Sequence, residues 1–454
     1  MMMSQIVSNT KPKPQLSKET FVGGSLKAFR EDPLLFMNEL YRKHGDYARF
    51  RLGPQKFYAI FNPDMLKEVM ITKADAFSKA GTFDEIKRLT GEGLVTSDGA
   101  HHDRQRRIMQ PKFTRGHIQK YAGQMGQSTR SLIAGWNDGQ QRDLTHDLFT
   151  ITFDIMTRTL FSYEAGTRLE QIEKAFDSIS RIATEKIRTL IRLPLLIPTK
   201  QNREYTAALC SLDDIVFGII ADRRAMGGEE RQDLLSVLME AVDESDQTGM
   251  TDRQLRDELL TMFLAGHETT AHTLAWAFDF LMRRPDVEEK LVEEWSRVLG
   301  GELPTADHFN DLVYTQNVIW ETLRMRPAGY LTGRTAIQDT SLGNLPIRRG
   351  EALMISPYPL HMHPGYFDEP ETFRPERFEN DYVKTLPIMA YFPFGAGPRS
   401  CIGNHFAMLE MVIILAAIGQ TFRLRPTPNH LPAVPEALLT LTPKGGIRVT
   451  VERR

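Results

Sequence analysis

The stretch FPFGAGPRSCIGNHFAMLEM, Phe392 to Met411, decides how the rest of this chain is read. Cys401 follows a loop containing Gly395, Gly397 and Pro398, and an apolar helical pattern begins just after it. Glycines there let backbone approach a flat ligand closely and leave amide groups free to point at the sulfur. A helix starting beyond Cys401 turns its positive end toward the thiol, and Arg399 places a cation nearby. Such a cysteine is expected to ionise readily and to be able to ligate a metal. Taken alone, a cysteine beside glycines also fits a buried structural thiol.

Outward from this stretch, composition narrows the choices. The chain has 454 residues, 41% of them hydrophobic, enough for one very large core or two to three ordinary ones. Its 56 basic and 58 acidic residues nearly cancel, which argues against a surface built for nucleic acid. Two cysteines, Cys210 and Cys401, cannot make a disulfide framework and suit a reducing cytoplasm. The N-terminal MMMSQIVSNTKPKPQLSKETF has no apolar segment of signal-peptide or membrane-span length, so a soluble protein without a membrane anchor is expected. Met411 to Ile418 is too short to span and reads as a buried core helix.

Apolar spacing predicts a helix over DPLLFMNELYRKHG and a hairpin around Gly53 and Pro54 in DYARFRLGPQKFYAIFN. Helical periodicity recurs over 103–110, 119–136, 144–161, 169–191, 203–224 and 232–242. From Thr251, a good N-cap, it runs unbroken to Arg284, roughly 33 residues or about 50 Å. Helices over 286–299 and 313–325 precede a Pro- and Gly-rich region with short strands at 334–337, 352–355 and 447–451. The expected architecture is mainly α with small β-sheets: a flexible tail over residues 1–20, then a single large domain over 21–454.

Inside the long helix lies AGHETTAH, Ala265 to His272. A zinc protease helix reads H-E-x-x-H, with both imidazoles on one face. His267 and His272 are five apart, so they diverge by about 140° on a helix, and Ala271 stands where the second ligand belongs. Zinc hydrolysis is excluded on spacing.

Phe394, Gly397, Arg399, Cys401 and Gly403 form F-x-x-G-x-R-x-C-x-G, which closely resembles the haem-binding signature of the cytochrome P450 family. The resemblance extends from about residue 30 to the end, with the family's other motifs in order. It implies the cytochrome P450 fold, haem b with a Cys401 thiolate as proximal ligand and metal site, and Phe394 and Gly395 packed beside it. Arg399, His102, Arg106 and Arg334 would bind the haem propionates, guanidinium groups suiting carboxylates because they pair bidentately. Glu321 and Arg324 match an E-x-x-R, and Arg377 in RPERF would complete a buried structural network with them. Ala265, Gly266, Glu268 and Thr269 match A-G-x-[DE]-T on the distal haem face: Gly266 leaves room for oxygen, Thr269 loosens the helix by bonding backbone, and Glu268 supplies protons. His267 and His272 are then structural. HMHPGYF departs from the usual loop before P-E-R-F at Met362 and His363.

By the same resemblance, substrate would lie against Val95, Leu264, Ala328, Tyr330, Leu331, Leu438 and Leu439. All but Tyr330 are apolar, so a lipophilic substrate of fatty-acid, terpenoid, steroid or polyketide type is expected, held mainly by burial. Val95 stands where some fatty-acid hydroxylases carry a larger aromatic, which implies more room. The implied activity is monooxygenation, hydroxylation or epoxidation with O2 as co-substrate. Electrons would come from NAD(P)H through a separate ferredoxin- or flavodoxin-type donor and its reductase, steered by Arg104, Arg107, Lys112 and Arg115. The protein is expected to be a cytoplasmic monomer with no nucleic-acid partner. Alternatives sharing the cysteine loop are a peroxide-driven or non-oxygenating haem-thiolate enzyme and a haem-based gas sensor.

Overall fold

The computed structural model describes residues 24–79, 84–164, 166–187, 194–226, 233–241, 249–428 and 432–454. The tail expected over residues 1–20 lies outside them, as do parts of the helices expected over 169–191 and 232–242. Helix α1, Pro33–His44, begins at Asp32, whose carboxylate accepts the Leu35 amide at 2.9 Å; Pro33 fits the first turn, where an amide has no helical partner. The hairpin follows as β1 (Tyr47–Leu52) and β2 (Gln55–Ile60), antiparallel from Tyr47 opposite Ile60 to Leu52 opposite Gln55. Strand β3 is Phe77–Ser78.

Helices then dominate: α2 (Gly99–Met109), α3 (Ala122–Ile133), α4 (Leu144–Phe161) after a short strand β4 (Gln141–Asp143), α5 (Leu169–Ile187), α6 (Lys200–Met226) and α7 (Leu234–Glu240). Next come α8 (Asp252–Gly266), α9 (Glu268–Leu281), α10 (Pro285–Leu299) and α11 (Val313–Met325). The C-terminal part supplies β5 (Thr332–Ala336), β6 (Ala352–Ile355), α12 (Asn404–Thr421), β7 (Phe422–Pro426), β8 (Pro435–Ala437), β9 (Leu441–Pro443) and β10 (Arg448–Arg453). One sheet has the order β1-β2-β6-β5-β3, a second β4-β10-β7, and β8 pairs with β9. β2 and β6 run parallel, Phe57 opposite Ala352, which ties the N-terminal hairpin to a strand nearly three hundred residues later.

The largest core joins α4, α9 and α12 through Ile151, Ile155, Leu274, Trp276, Val412, Ile413 and Leu415. α12 is apolar on every side, and a helix of that kind is stable in water only when other elements surround it. It is the one helix among the described residues long and apolar enough to cross a membrane, and most of it is buried. The mainly α expectation with small sheets holds.

One expectation fails. The long helix from Thr251 is not continuous: α8 and α9 are separate, and His267 between them has φ −100° and ψ −46°. Thr269 Oγ1 donates to Ala265 O at 2.9 Å and Thr270 Oγ1 to Gly266 O at 3.2 Å. Such hydroxyl bonds compete with the amides four residues on for the same carbonyls and favour local bending. The start is conventional, with Thr251 and Gln254 forming a reciprocal capping box.

Candidate active site

A cavity of about 390 Å3, within the roughly 300–1,000 Å3 of small-molecule sites, lies between the broken turn of α8 and α9 and the loop before α12. Cys401, Phe394, Gly395, Arg399 and Gly403 reach it from the loop, and Ala265, Gly266 and Thr269 from the broken turn. Ala265 is exposed in the middle of a core helix, so what it is exposed to is this cavity. Cys401 is likewise exposed to the cavity while enclosed by protein on its other sides.

The loop geometry depends on glycine. Gly395 and Gly397 have φ of 70° and 66°, and a Cβ on Gly397 would stand 2.0 Å from Met70 O. Cys401 N donates to Phe394 O at 2.8 Å, which closes the loop. Helix α12 begins at Asn404 rather than directly after the cysteine. The expected ionised thiol needs correcting in the bare protein. Burial raises the Cys401 pKa, and neither the Gly403 amide nor Arg106 reverses that. The cation facing the sulfur is Arg106, whose Nη1 donates to Ser400 O at 2.8 Å. Arg399 turns away, to Ser97 O at 2.7 Å and Asp98 Oδ1 at 2.5 Å.

Cations gather at one rim. Arg334, Arg399 and Lys79 line the cavity. Burial, then Arg399, pushes Arg334 down to about 10; burial, then Arg334, pushes Lys79 down to about 7. Like charges held this close, with Asp98 as their carboxylate neighbour, suit an anionic ligand. Arg106 and His102 do not line the cavity: Arg106 is spent on Ser400, and His102 is buried with Nδ1 3.0 Å from Asp103 Oδ1. Lys79 was not foreseen from sequence; an isolated lysine in a loop carries no signal there.

Glu268 also lies back from the cavity. It is buried, accepts from Thr440 Oγ1 at 2.9 Å, and burial lifts its pKa to about 7. Thr440, unforeseen, does line the cavity and lies 2.9 Å from His272 Nδ1. Glu410 on α12, also missed, is fully buried with its pKa raised well above the carboxylate range by burial. His267 packs among Phe149, Phe153 and Phe176, with ring centroids at 4.4, 5.3 and 5.2 Å, and is kept neutral by burial. Among the described residues no cluster of His, Cys, Asp and Glu could hold a metal ion.

Behind the loop, Glu321, Arg324 and Arg377 meet in the core. Arg324 grips Glu321 with Nε and Nη2 at 2.7 and 2.8 Å, and Arg377 Nε adds a bond at 3.0 Å. Where the sequence departs at Met362, Arg324 Nη1 bonds His361 O at 2.9 Å and touches the Met362 sulfur at 3.5 Å. His363 packs instead against Tyr41 and Tyr366, its ring tilted to both.

Val95, Ala328, Leu331 and Leu439 line the cavity, together with Met156, Leu160 and Met262. Leu264, Tyr330 and Leu438 do not. Leu264 is turned onto the core; Tyr330 packs against Leu34, Ala437 and Leu441, and its Oη donates to Leu438 O in the β8–β9 turn at 2.7 Å.

These residues fit a flat, dianionic, metal-centred group: a sulfur donor on one wall, glycine backbone beside it, a cationic rim, and apolar space beyond. Comparison with known proteins agrees. The cytochrome P450 family model matches residues 14–451. Cyclooctat-9-en-7-ol 5-monooxygenase of Streptomyces melanosporofaciens is 35% identical over 89% of this chain and 88% of its own. Cyclooctatin synthase of the same organism is 35% identical over 87% of this chain and 86% of its own. Pentalenene oxygenase of Streptomyces avermitilis is 32% identical over 91% and 94%. With a near-complete family match and relatives named as oxygenases behind a cysteine-lined cavity, the chain belongs to the cytochrome P450 family and is a monooxygenase.

Proposed function

We propose that this chain hydroxylates or epoxidises a compact terpenoid, with Cys401 as the axial ligand of haem b. The observation that carries the reading is that Cys401, the cationic rim and the broken turn at Ala265 to Thr269 all face one cavity with an apolar wall. When bound, thiolate-ligated haem supplies oxygen activation. Arg334, Arg399 and Lys79 would hold its propionates, with Arg106 and His102 behind them. Glu321, Arg324 and Arg377 keep the loop's support rigid.

Val95, Ala328, Leu331 and Leu439 offer the substrate no charge, so affinity comes from burial at about 25 cal/mol per Å2. A polycyclic hydrocarbon or its alcohol suits such walls, and the relatives' names, which carry cyclooctat-9-en-7-ol and pentalenene, support that class over fatty acids. Gly266 and Thr269 leave space at the turn, and Glu268 holds a proton close to neutral pH. Arg104, Arg107, Lys112 and Arg115 belong to α2 and the segment after it. Arg115 shares a surface groove with Asn404 and His405 at the start of α12, close in sequence to Cys401, where an acidic ferredoxin or flavodoxin carrying NAD(P)H-derived electrons would dock. We take the protein to act as a cytoplasmic monomer.

The test has two arms. Reduced protein with carbon monoxide should show the long-wavelength Soret band of thiolate ligation, lost in Cys401→Ala. A panel of cyclic terpenes, fatty acids and steroids should give a low-to-high-spin shift and oxygenated product with the terpenes. Product formed with peroxide alone and never with the electron donor would favour the peroxide-driven alternative.

A further inference from the structure

Thr440 occupies the turn between β8 and β9, held from two sides. Tyr330 Oη bonds Leu438 O at 2.7 Å, and Leu438 N donates to Thr440 O at 3.0 Å. From this fixed place its hydroxyl lies 2.9 Å from Glu268 Oε1 and 2.9 Å from His272 Nδ1, and Thr440 is among the residues lining the cavity, as Glu268 is not. His272 Nδ1 is itself 4.0 Å from Glu268 Oε1, too far for a direct bond. Thr440 is thus the one group in contact with both the carboxyl and the cavity among these three.

A hydroxyl has one hydrogen and two lone pairs. A neutral imidazole with its hydrogen on Nδ1 donates to one lone pair. If Glu268 is ionised, the Thr440 hydrogen is committed to the carboxylate. If Glu268 is protonated, its O–H donates to the second lone pair, and the Thr440 hydrogen is released to point elsewhere, toward the cavity. We infer that Thr440 is the hydroxyl through which Glu268 passes its proton into the cavity, with His272 as the positioning residue that orients it. The step balances. The Glu268 O–H bond breaks as Thr440 Oγ1 takes that hydrogen, the former Thr440 hydrogen leaves to a cavity water, and Glu268 is left as carboxylate until it is reprotonated from solvent.

The titratable groups facing Glu268 are few. His272 lies one turn along α9, and Asp177 faces it from α5, its charge adding to the rise that burial causes. From the β8–β9 hairpin come the hydroxyls of Thr440 and Thr442. Burial holds His272 near 4 and His267, which faces His272, near 3, so both stay neutral where Glu268 titrates.

The inference rests on the proposed role of Glu268, and the experiment separates the two. Holoenzyme carrying Thr440→Val, Thr440→Ser or Glu268→Gln would be compared by pH-dependent infrared spectroscopy of the protonated carboxyl band, assigned by its loss in Glu268→Gln. The second readout is the fraction of consumed oxygen recovered as product. Losing the Thr440 bond should raise the midpoint by about one unit, because the bond to the ionised carboxylate is stronger than the one the protonated carboxyl makes to the same hydroxyl. Coupling should fall several-fold in Thr440→Val, and Thr440→Ser should restore both. A wild-type midpoint and coupling in Thr440→Val overturns the inference. So does a moved midpoint with unchanged coupling, or a serine variant as impaired as valine. Wild-type coupling in Glu268→Gln overturns the role of Glu268 itself.

Discussion

Replacing Glu321 with alanine should cost the protein more stability than most single changes can. Its Oε1 accepts from Arg324 Nη2 at 2.8 Å, Arg377 Nε at 3.0 Å and the Arg374 amide at 2.8 Å, and its Oε2 from Arg324 Nε at 2.7 Å. The side chains of Glu321 and Arg324 are fully buried and that of Arg377 nearly so. Without the carboxylate, two guanidinium cations remain in the core. Arg324 keeps His361 O at 2.9 Å and Arg377 keeps Asp368 O at 2.8 Å, bonds that hold position without cancelling charge. Breaking a buried ion pair from one side costs about 3–5 kcal/mol. Against a total of roughly 5–15 kcal/mol, that is about a third to a half of a mid-range protein's stability. Equilibrium urea unfolding, followed by intrinsic fluorescence, measures the loss. Lys384→Ala, which breaks the exposed pair with Asp381, serves as the control and should change stability by less than about 1 kcal/mol. The double variant Glu321→Ala/Arg324→Ala should lose less than the sum of the singles. If Glu321→Ala costs no more than the lysine control, the network is not what steadies this core.

Gly397→Ala puts a Cβ against Met70 O in a left-handed backbone, so haem content after expression should drop sharply, read from the ratio of Soret to protein absorbance. Val95→Phe fills the cavity wall and should weaken binding of the bulkiest terpenes at least about tenfold in spin-shift titrations while smaller ligands bind as before. Glu268 has a folded pKa of about 7, above its unfolded value, so the folded state binds the extra proton and this group's contribution to stability falls as pH rises from about 4.5 to about 7. Glu268→Gln should therefore raise the thermal midpoint more at pH 8 than at pH 5, and an equal gain at both would contradict the raised pKa. Arg107→Glu with Arg115→Glu should slow reduction by a ferredoxin several-fold and leave substrate affinity unchanged, as measured by stopped-flow.

Regular elements were legible because burial imposes a period. The helix over 144–161 was read to the residue, and the hairpin at Gly53 follows from a turn signal between two β-rich runs. What failed was whatever depends on partners distant in sequence. The break at His267 coincides with the hydroxyl bonds of Thr269 and Thr270 to backbone carbonyls and with the packing of His267 among Phe149, Phe153 and Phe176, and a helical pattern of apolar residues passes straight through it. Arg399 was assigned to the sulfur on proximity in sequence, yet Asp98, three hundred residues earlier, captures it, leaving Arg106 to face the thiol. Thr440 and Lys79 stand in segments with no motif, and only the folded cavity gives them a setting. Family resemblance places Tyr330 and Leu438 on the cavity side, but neither lines it, and Tyr330 packs instead against Leu34, Ala437 and Leu441.

The ring cage around His267 has a mechanical consequence. Phe149 and Phe153 come from α4 and Phe176 from α5, and Thr152 Oγ1 also donates to His267 O at 3.2 Å. The turn is therefore clamped by α4, which also lends Met156 and Leu160 to the cavity wall, and by α5. Through Phe176, then, the position of α5 bears directly on the turn that carries Thr269, although the lining of the cavity includes no residue of α5.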